Sequence, residues 1–251
     1  SSFTIYASGD DNVVLFGQVG EEGSVVEKNQ EFSYYLKAYN NTENDINDYE
    51  IMSILPSTGN KQGSNFDGTY KVKITLPNSF GNAKVYCSTK NYNGLVNDVS
   101  DKNNEFKECN AMDDYVSATA IKITNISIAN RHYMDKIKLS ILPTGNKYSN
   151  KYVNSFVGES PTFSEYTQTS SNKTTVRVVS RSISGRIFMD VNEDGIENNG
   201  DKYLSDMKLT LYKLDNDDNM NEIKSTTTNK NGEYVFNDLD VGRYKIRLTE
   251  V

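Results

Sequence analysis

Residues 190–201 carry oxygen-bearing side chains at a spacing that suits a metal ion, in the order D-V-N-E-D-G-I-E-N-N-G-D. If Asp190 is position 1, side-chain oxygens fall at positions 1, 3, 5, 9 and 12, with glycine at position 6. Alternate side chains of such a twelve-residue loop converge on one centre, and hard oxygen donors suit a hard divalent cation. We therefore predict a calcium site with the ligands Asp190, Asn192, Asp194, the Ile196 carbonyl, Asn198 and Asp201.

The residues at the end of this loop and around it limit the kind of calcium site that we expect. Position 12 is Asp201 rather than the usual glutamate, whose longer side chain coordinates in a bidentate way, so we expect a lower affinity. Residues 183–189 and 207–211 on either side read as strands, which favours a hairpin or a crossover over a helix–loop–helix sensor. The alternative is an acidic surface loop whose carboxylates are only solvated.

A second acidic turn, D-N-D-D-N at residues 215–219, has a similar spacing of side-chain oxygens. Asp215, Asp217 and Asn219 could form a second metal site, but the turn lacks a glycine and a terminal carboxylate. A solvated turn is the interpretation that we favour here.

The chain has two cysteines, Cys87 and Cys109. They are too far apart in sequence for a metal-binding knuckle, and no second Cys or His pair accompanies them. Two readings stay open. In an oxidising compartment the cysteines could form a disulfide that closes a loop of about 20 residues, and otherwise they are two free thiols.

Composition predicts an all-β fold for the elements that carry these residues. The chain has 17 Tyr, 10 Phe and only 4 Pro, and its short apolar runs are separated by turns rich in Asn, Asp, Gly and Ser. This pattern is typical of a β-sandwich of the Ig-like or adhesin type. The predicted strands before residue 180 are 2–7, 12–17, 31–39, 49–55, 69–76, 84–88, 118–128, 136–142 and 174–179.

One strand leads into another near residues 179–181, where V-R-V-V-S-R-S-I-S-G contains no flexible linker. We predict two domains, 1–179 and 180–251, joined semi-rigidly. The net charge of −7 without a basic stripe argues against nucleic acid or an anionic membrane as a partner. No apolar run is long enough to span a bilayer. Because the sequence has no starting Met, signal peptide or sorting tail, we expect a piece from the interior of a longer protein.

The sequence contains few of the residue arrangements that are typical of catalytic sites. His132 is the single histidine and lies in the polar stretch N-R-H-Y-M-D. The sequence contains no nucleophile elbow, H-E-x-x-H motif or phosphate-binding glycine loop. We therefore expect a protein that is not an enzyme.

A short internal repeat occurs within the first domain. Residues 54–61 read I-L-P-S-T-G-N-K and residues 141–147 read I-L-P-T-G-N-K, which indicates either two related half-domains or a repeated edge turn. The first copy contains L-P-S-T-G, which matches a sortase pattern. No apolar span and basic tail follow it, so we predict a turn.

The second domain resembles the SdrD-type B repeats, relatives of the Cna-B domains of Gram-positive surface adhesins. The resemblance rests on residues 182–201, which include the acidic loop, and on M-K-L-T-L-Y, T-T-T-N-K-N-G-E-Y-V-F-N-D-L and D-V-G-R-Y-K-I after it. It implies a prealbumin-like β-sandwich that serves as a calcium-stiffened stalk module, with the calcium ligands on the six residues predicted above. Many Cna-B domains also form a Lys–Asn isopeptide bond from a lysine in the first strand. Here that strand has Arg186 and Asp190 and no lysine, so we expect no such bond in this domain.

Residues 1–179 resemble, more diffusely, repeats on clostridial surface proteins, through E-F-S-Y-Y-L-K-A-Y-N-N and Y-E-I-M-S-I-L-P-S-T-G. The resemblance implies a monomeric segment of a secreted, cell-wall-anchored adhesin whose anchor lies outside this sequence. The first domain would bind a host extracellular matrix protein of the collagen or fibrinogen class. The alternative is a structural stalk in which neither domain has a ligand of its own.

Overall fold

The computed structural model describes residues 13–16, 24–59, 62–163, 168–198, 200–240 and 242–250. The chain divides into two compact units, Ser1–Val179 and Ser180–Val251. The described ranges contain twenty strands, four short 3-10 helices and no α-helix, which confirms the predicted all-β class. Within them, no helix has the length and apolar character needed to cross a bilayer. The strand predicted at 2–7 lies outside the described residues.

The first unit contains thirteen of these strands. They are β1 (Val13–Phe16), β2 (Ser24–Val26), β3 (Phe32–Asn40), β4 (Ile46–Ile54), β5 (Thr69–Thr75), β6 (Lys84–Ser88), β7 (Lys107–Glu108), β8 (Ala120–Ile128), β9 (Ile137–Thr144), β10 (Lys151–Asn154), β11 (Val157–Glu159), β12 (Thr169–Ser170) and β13 (Thr174–Val178). They form a four-stranded sheet (β1-β3-β9-β5), a six-stranded sheet (β12-β11-β4-β8-β6-β7) and a three-stranded sheet (β10-β13-β2).

Alternation along the strands places one face of each large sheet in a shared core. Tyr34 and Leu36 of β3 are buried in the same cluster as Ile121 and Ile123 of β8, which belongs to the other sheet. The alternation of β8 changes phase at Asn125, whose φ of +56° is tolerated better by asparagine than by most residues. This irregularity keeps both halves of β8 in the core, and two facing sheets around one core make a β-sandwich.

The internal repeat corresponds to two copies of a strand pair, and each strand of one copy pairs with a strand of the other copy. The first copy is β3 and β4, and the second is β8 and β9; β3 pairs with β9 in one sheet, and β4 pairs with β8 in the other. Ile54 lies opposite Ala120, and its counterpart Ile141 lies opposite Phe32. The glycines within the two motifs, at positions 59 and 145, both have positive φ angles, of +82° and +78°. The arrangement favours two related halves over a repeated edge turn.

The segment between β6 and β8, residues 89–119, covers part of the outer face of the six-stranded sheet. Its Val99 packs in a separate cluster with Met52, Ala120 and Val157 of that sheet. Asn104 organises the segment from within, because its buried side chain accepts from the Val96 N–H (2.8 Å) and donates to the carbonyls of Val96 (2.9 Å) and Asp98 (3.0 Å).

A disulfide joins Cys87 in β6 to Cys109, just after β7, with the two Cα atoms 5.8 Å apart. It closes most of the covering segment into a loop, with a sequence separation of 22 residues. The base of the segment is therefore attached to the six-stranded sheet both covalently and through the pairing of β6 with β7.

The second unit contains the other seven strands. They are β14 (Arg181–Arg186), β15 (Phe188–Met189), β16 (Lys202–Tyr203), β17 (Lys208–Leu214), β18 (Met220–Thr227), β19 (Glu233–Leu239) and β20 (Arg243–Glu250). The pairs β14-β19 and β15-β16 and the three-stranded sheet β18-β17-β20 make up its sheets. Leu209 and Leu211 of β17 pack against Phe236 and Leu239 of β19 in its small core.

The first strand of this unit differs from the prediction of one strand over 183–189. The structure breaks it at Ile187, whose N–H donates to the carbonyl of Gly232 (2.8 Å), so β14 and β15 pair with different partners. The break sends the second half of the strand to β16, at the base of the acidic loop.

Removal of the disulfide should destabilise the first unit alone. For the double variant Cys87→Ala/Cys109→Ala, we expect a loss of about 3 kcal/mol in the free energy of unfolding, because a loop of this length is then unconstrained in the unfolded chain. Urea titration of the full chain followed by near-UV circular dichroism measures it. The second unit has no cysteine and serves as an internal control. If the unfolding transition of the first unit were unchanged in the variant, this role of the disulfide would be contradicted.

Candidate metal centre

The acidic loop closes a hairpin. Phe188 pairs with Tyr203 and Met189 with Lys202, so β15 and β16 bring the two ends of the loop together. The loop begins and ends with the first and last predicted ligands, Asp190 and Asp201. Of the two predicted contexts, a hairpin or a crossover, the structure shows the hairpin, but its second strand is β16 and not the predicted strand at 207–211.

The carboxylate of Asp190 organises the turn at the middle of the loop. Its Oδ2 accepts from the N–H of Gly195 (2.7 Å) and its Oδ1 from the N–H of Asp194 (3.3 Å). Gly195 has a φ of +75°, and a Cβ added there would meet nothing within 4 Å. Backbone conformation, and not lack of space, is therefore the reason for a glycine at this position.

Amide groups point at the oxygens that a cation would use. Asp194 Oδ2 accepts from the side-chain amides of both Asn192 and Asn198, each at 2.8 Å. The amide of Asn198 also donates to the carbonyl oxygen of Ile196, at 3.1 Å. The partly positive N–H groups of two asparagines thus face the negative and dipolar oxygens of positions 5 and 7. Hydrogen bonds thus link these four predicted ligand residues to one another.

Asp201 closes the loop from its far end. Its Oδ1 accepts from the N–H of Val191 (3.1 Å) and its Oδ2 from the N–H of Asn198 (2.9 Å). The short side chain at position 12 therefore reaches back to both the start and the second half of the loop. All six predicted ligand residues belong to one hydrogen-bonded turn, although the described residues contain no cluster of three or more Asp, Glu, His or Cys side chains positioned for a metal ion.

Arg186 of β14 ties this loop to the rest of its unit. Its guanidinium contacts Glu197 Oε1 of the loop at 2.6 Å and Glu233 Oε1 of β19 at 3.0 Å. It also lies over the ring of Tyr203, 4.9 Å from the centroid, while the Tyr203 hydroxyl donates to Glu197 (3.0 Å). The hydrogen bond from Arg186, followed by that from Tyr203, lowers the pKa of Glu197.

This network around Arg186 was not predicted from the sequence. The arginine stands out there only because the strand lacks a lysine, and nothing in the local pattern points to Glu233, 47 residues further on. The absence of an isopeptide bond from this strand stays a prediction.

The second acidic turn closes the hairpin between β17 and β18. The carboxylate of Asp215 accepts from the N–H groups of Asp217 and Asn219, both at 2.9 Å, and from the Asn219 side-chain amide at 3.0 Å. Hydrogen bonds from Asn219 are the main cause of the lowered pKa of Asp215. Arg243 donates to the Asp215 carbonyl (2.6 Å) and pairs with Asp218 (2.7 Å), which places a positive charge at this turn. The geometry is that of a hairpin turn held by its own side chains, and a second metal site there stays a prediction.

Comparison with known proteins matches the part of the chain that carries the loop. The family model of the SdrD B-like domain matches residues 181–251. Residues 181–251 are an SdrD B-like domain. The chain is 40% identical over 67 residues to serine-aspartate repeat-containing protein F of Staphylococcus epidermidis (strain ATCC 12228 / FDA PCI 1200), which covers 27% of this chain and 4% of that protein. It is equally similar over 67 residues to a fibrinogen-binding protein of Staphylococcus epidermidis, of which it covers 6%.

The chain thus spans a small part of these relatives, and their similarity to it lies in a stretch the size of the B domain. Among solved structures, the chain is similar to the major pilin subunit of Bacillus cereus, with a TM-score of 0.43 and 11% identity. That match covers 94% of this chain and 58% of the pilin. The likeness is too loose to carry a functional conclusion.

The Arg186 network should make the stability of the B domain depend on pH in a defined direction. Arg186 is the main cause of the lowered pKa of Glu197, and a hydrogen bond from Asn229 followed by that from Arg186 lowers the pKa of Glu233. Both pKa values lie below the ordinary 4.5, so the stabilisation is present above about pH 4.5 and is lost as the pH falls through the lowered values. We expect Arg186→Gln to lower the melting temperature at pH 7 and to flatten the fall between pH 5 and about pH 3.

Thermal unfolding of the full chain in a chelator measures this effect without any metal contribution. The control is Arg247→Gln, which removes the same charge from an arginine that lies on the ring of Tyr212. Parallel pH profiles for Arg186→Gln and the unmodified chain would contradict the assigned role.

Proposed function

We propose that this chain is a segment of a secreted bacterial surface adhesin in which the B domain is a calcium-stiffened module. Its calcium ligands would be Asp190, Asn192, Asp194, the Ile196 carbonyl, Asn198 and Asp201. The first unit would bind a host extracellular matrix protein. The longer protein would be anchored to the cell wall, and neither unit would be catalytic.

The convergence of the six predicted ligand residues in one hydrogen-bonded turn is the observation that carries the calcium proposal. Three of them are carboxylates, and the others supply amide or carbonyl oxygens, which is the donor set that Ca²⁺ prefers. In the structure, the amides of Asn192 and Asn198 supply partial positive charge to Asp194 and Ile196. Rotation of an amide about its last torsion exchanges nitrogen for oxygen, so the same side chains can face a cation.

Calcium at this loop would stabilise the B domain by two physical effects. It would remove the repulsion among Asp190, Asp194 and Asp201, and it would bind the folded hairpin in preference to the unfolded chain. The four side chains of the central core cluster, Leu209, Leu211, Phe236 and Leu239, form a small core for a unit of this size. Small domains of this kind commonly depend on a metal or a covalent crosslink.

Support for adhesion comes from a relative that shares the B domain and from the separate unit that precedes this domain in the chain. One relative that shares this stretch is named a fibrinogen-binding protein. The first unit is a separate sandwich with its own core, which suits a module that presents a binding surface. The competing function is a stalk that spaces a binding domain from the cell wall, with no ligand at either unit.

A non-catalytic role is consistent with the position of the single histidine. His132 is exposed in a turn, where its Nδ1 lies 2.7 Å from the carbonyl oxygen of Asn130. The sequence contains none of the catalytic motifs considered above, and this is the basis for proposing a non-catalytic role.

Substitution within the loop should abolish calcium-dependent stability. Calcium at a hundredfold excess over its Kd is expected to add about 2.7 kcal/mol to the stability of the B domain. In Asp194→Ala, we expect the melting temperature in calcium to equal that in a chelator, because position 5 no longer supplies a carboxylate. Calorimetry of the full chain with Ca²⁺ and with EDTA measures both values.

Asp217→Ala is the matched control, since it removes a carboxylate from the other acidic turn. It should keep the full calcium response. A calcium response that survives Asp194→Ala but disappears in Asp217→Ala would move the site to residues 215–219, and a response lost in neither would end the assignment of both turns.

Binding of the chain to host matrix proteins tests the adhesin proposal against the stalk. We expect saturable binding of the full chain to an immobilised collagen or fibrinogen, and no binding of residues 180–251 alone, which have their own core. Surface plasmon resonance in calcium and in EDTA measures both. If the full chain binds no member of a matrix panel while the calcium-dependent melt persists, the stalk function replaces adhesion.

A further inference from the structure

An uncharged groove lies at one end of the first unit. It is a cavity of about 580 Å³, within the range of ligand pockets in proteins. Phe66, Tyr70, Tyr92 and Pro56 supply its rings, and threonine and serine hydroxyls line much of the remainder. No charged residue lies among the described residues that line it, although 24% of the chain is charged.

Three separate parts of the fold build the aromatic wall. Tyr70 belongs to β5, and Phe66 precedes that strand, with its ring stacked on the buried Tyr152 at a centroid distance of 4.3 Å. Tyr92 lies in a 3-10 helix (Tyr92–Gly94) of the segment that the disulfide closes. Asn91 caps this helix by accepting from the N–H of Asn93, at 3.0 Å. Both tyrosines are thus held by ordered structure and lie side by side in one wall of the groove.

The two tyrosine hydroxyls share one backbone acceptor. Tyr70 donates to the carbonyl of Pro56 at 2.7 Å, Tyr92 donates to the same oxygen at 3.2 Å, and the two hydroxyl oxygens are 3.0 Å apart. Because the bond from Tyr70 is the shorter and satisfies the carbonyl by itself, an acceptor in the groove can take the hydrogen of Tyr92 in place of the longer bond. Burial raises the pKa of both phenols, which keeps them protonated.

We propose that this groove binds a proline-rich peptide segment in the polyproline II conformation. Such a segment offers apolar rings that pack on aromatic side chains and exposed carbonyls that accept from tyrosine hydroxyls. A proline has no N–H, so the ligand does not need the carboxylate or amide acceptors that the described lining lacks. The inference rests on the adhesin function proposed above and names its ligand class and site.

Binding of a capped decaproline peptide to the full chain tests this inference. The probe carries a fluorescent label and no terminal charges, and fluorescence anisotropy measures its Kd in calcium. We expect saturable binding that an unlabelled glycine–serine peptide of equal length does not compete. Tyr92→Phe should raise the Kd about fivefold through loss of one hydrogen bond. Tyr92→Ala should raise it tenfold or more through loss of the ring.

The matched control is Tyr35→Ala, which removes a tyrosine that is 41% exposed on the outer face of β3, away from the groove lining. It should leave the Kd unchanged. Circular dichroism checks that each variant is folded, and the conservative Tyr92→Phe keeps the test valid if Tyr92→Ala unfolds.

The outcomes separate the groove from adhesion itself. If the chain binds a matrix protein with the same Kd in Tyr92→Phe and Tyr92→Ala, adhesion stands and the groove is not its site. If decaproline does not bind, or if both Tyr92 variants bind it with the same Kd as the unmodified chain, the inference is wrong. Competition by a neutral oligosaccharide such as maltoheptaose, with no binding of decaproline, would replace the peptide by a glycan and also overturn it.

Discussion

The exchange of partners between two strand pairs is the constraint on which the first unit depends. Because β3 pairs with β9 and β4 with β8, the sheets cannot form until distant chain segments have met, since Phe32 pairs with Ile141 and Ile54 pairs with Ala120. Long loops must close before these contacts stabilise the fold, which is costly in entropy. The compensation is one continuous core that both sheets share, with Tyr34, Tyr49 and Tyr152 fully buried.

The covering segment and the groove follow from that exchange. The chain has to connect β6 to β8, and it uses the connection to bury apolar groups on the outer face of the six-stranded sheet. Asn104 links backbone groups of Val96 and Asp98 within this segment through its buried side chain. The same segment carries Tyr92 to the side of Tyr70. A disulfide at its base therefore stabilises a covering layer and one wall of a pocket together.

The core of the B domain contains fewer buried apolar side chains than the core of the first unit. Its central cluster contains Leu209, Leu211, Phe236 and Leu239, so polar contacts contribute a larger share of its local order. Backbone N–H groups that turn toward Asp190 and Asp201 shape the acidic loop, and Arg186 attaches it to β19. Exposed ion pairs contribute little each. Arg186 forms a network with two carboxylates and a tyrosine ring, and such a network contributes more than an isolated exposed pair.

The sites differ in how far sequence can reveal them, and the reason is the distance over which their residues are gathered. The acidic loop is contiguous, so its spacing alone predicts which residues come together, whereas alternation left a hairpin and a crossover open and did not reveal β16. The Arg186 network joins β14 to β19, and the groove joins Tyr70 to Tyr92, through pairings that no local pattern encodes. The break at Ile187 likewise depends on Gly232, a residue on a distant turn. Local chemistry could therefore be read from the sequence before the fold was known, whereas a surface built by several strands required the pairing of those strands to be known first.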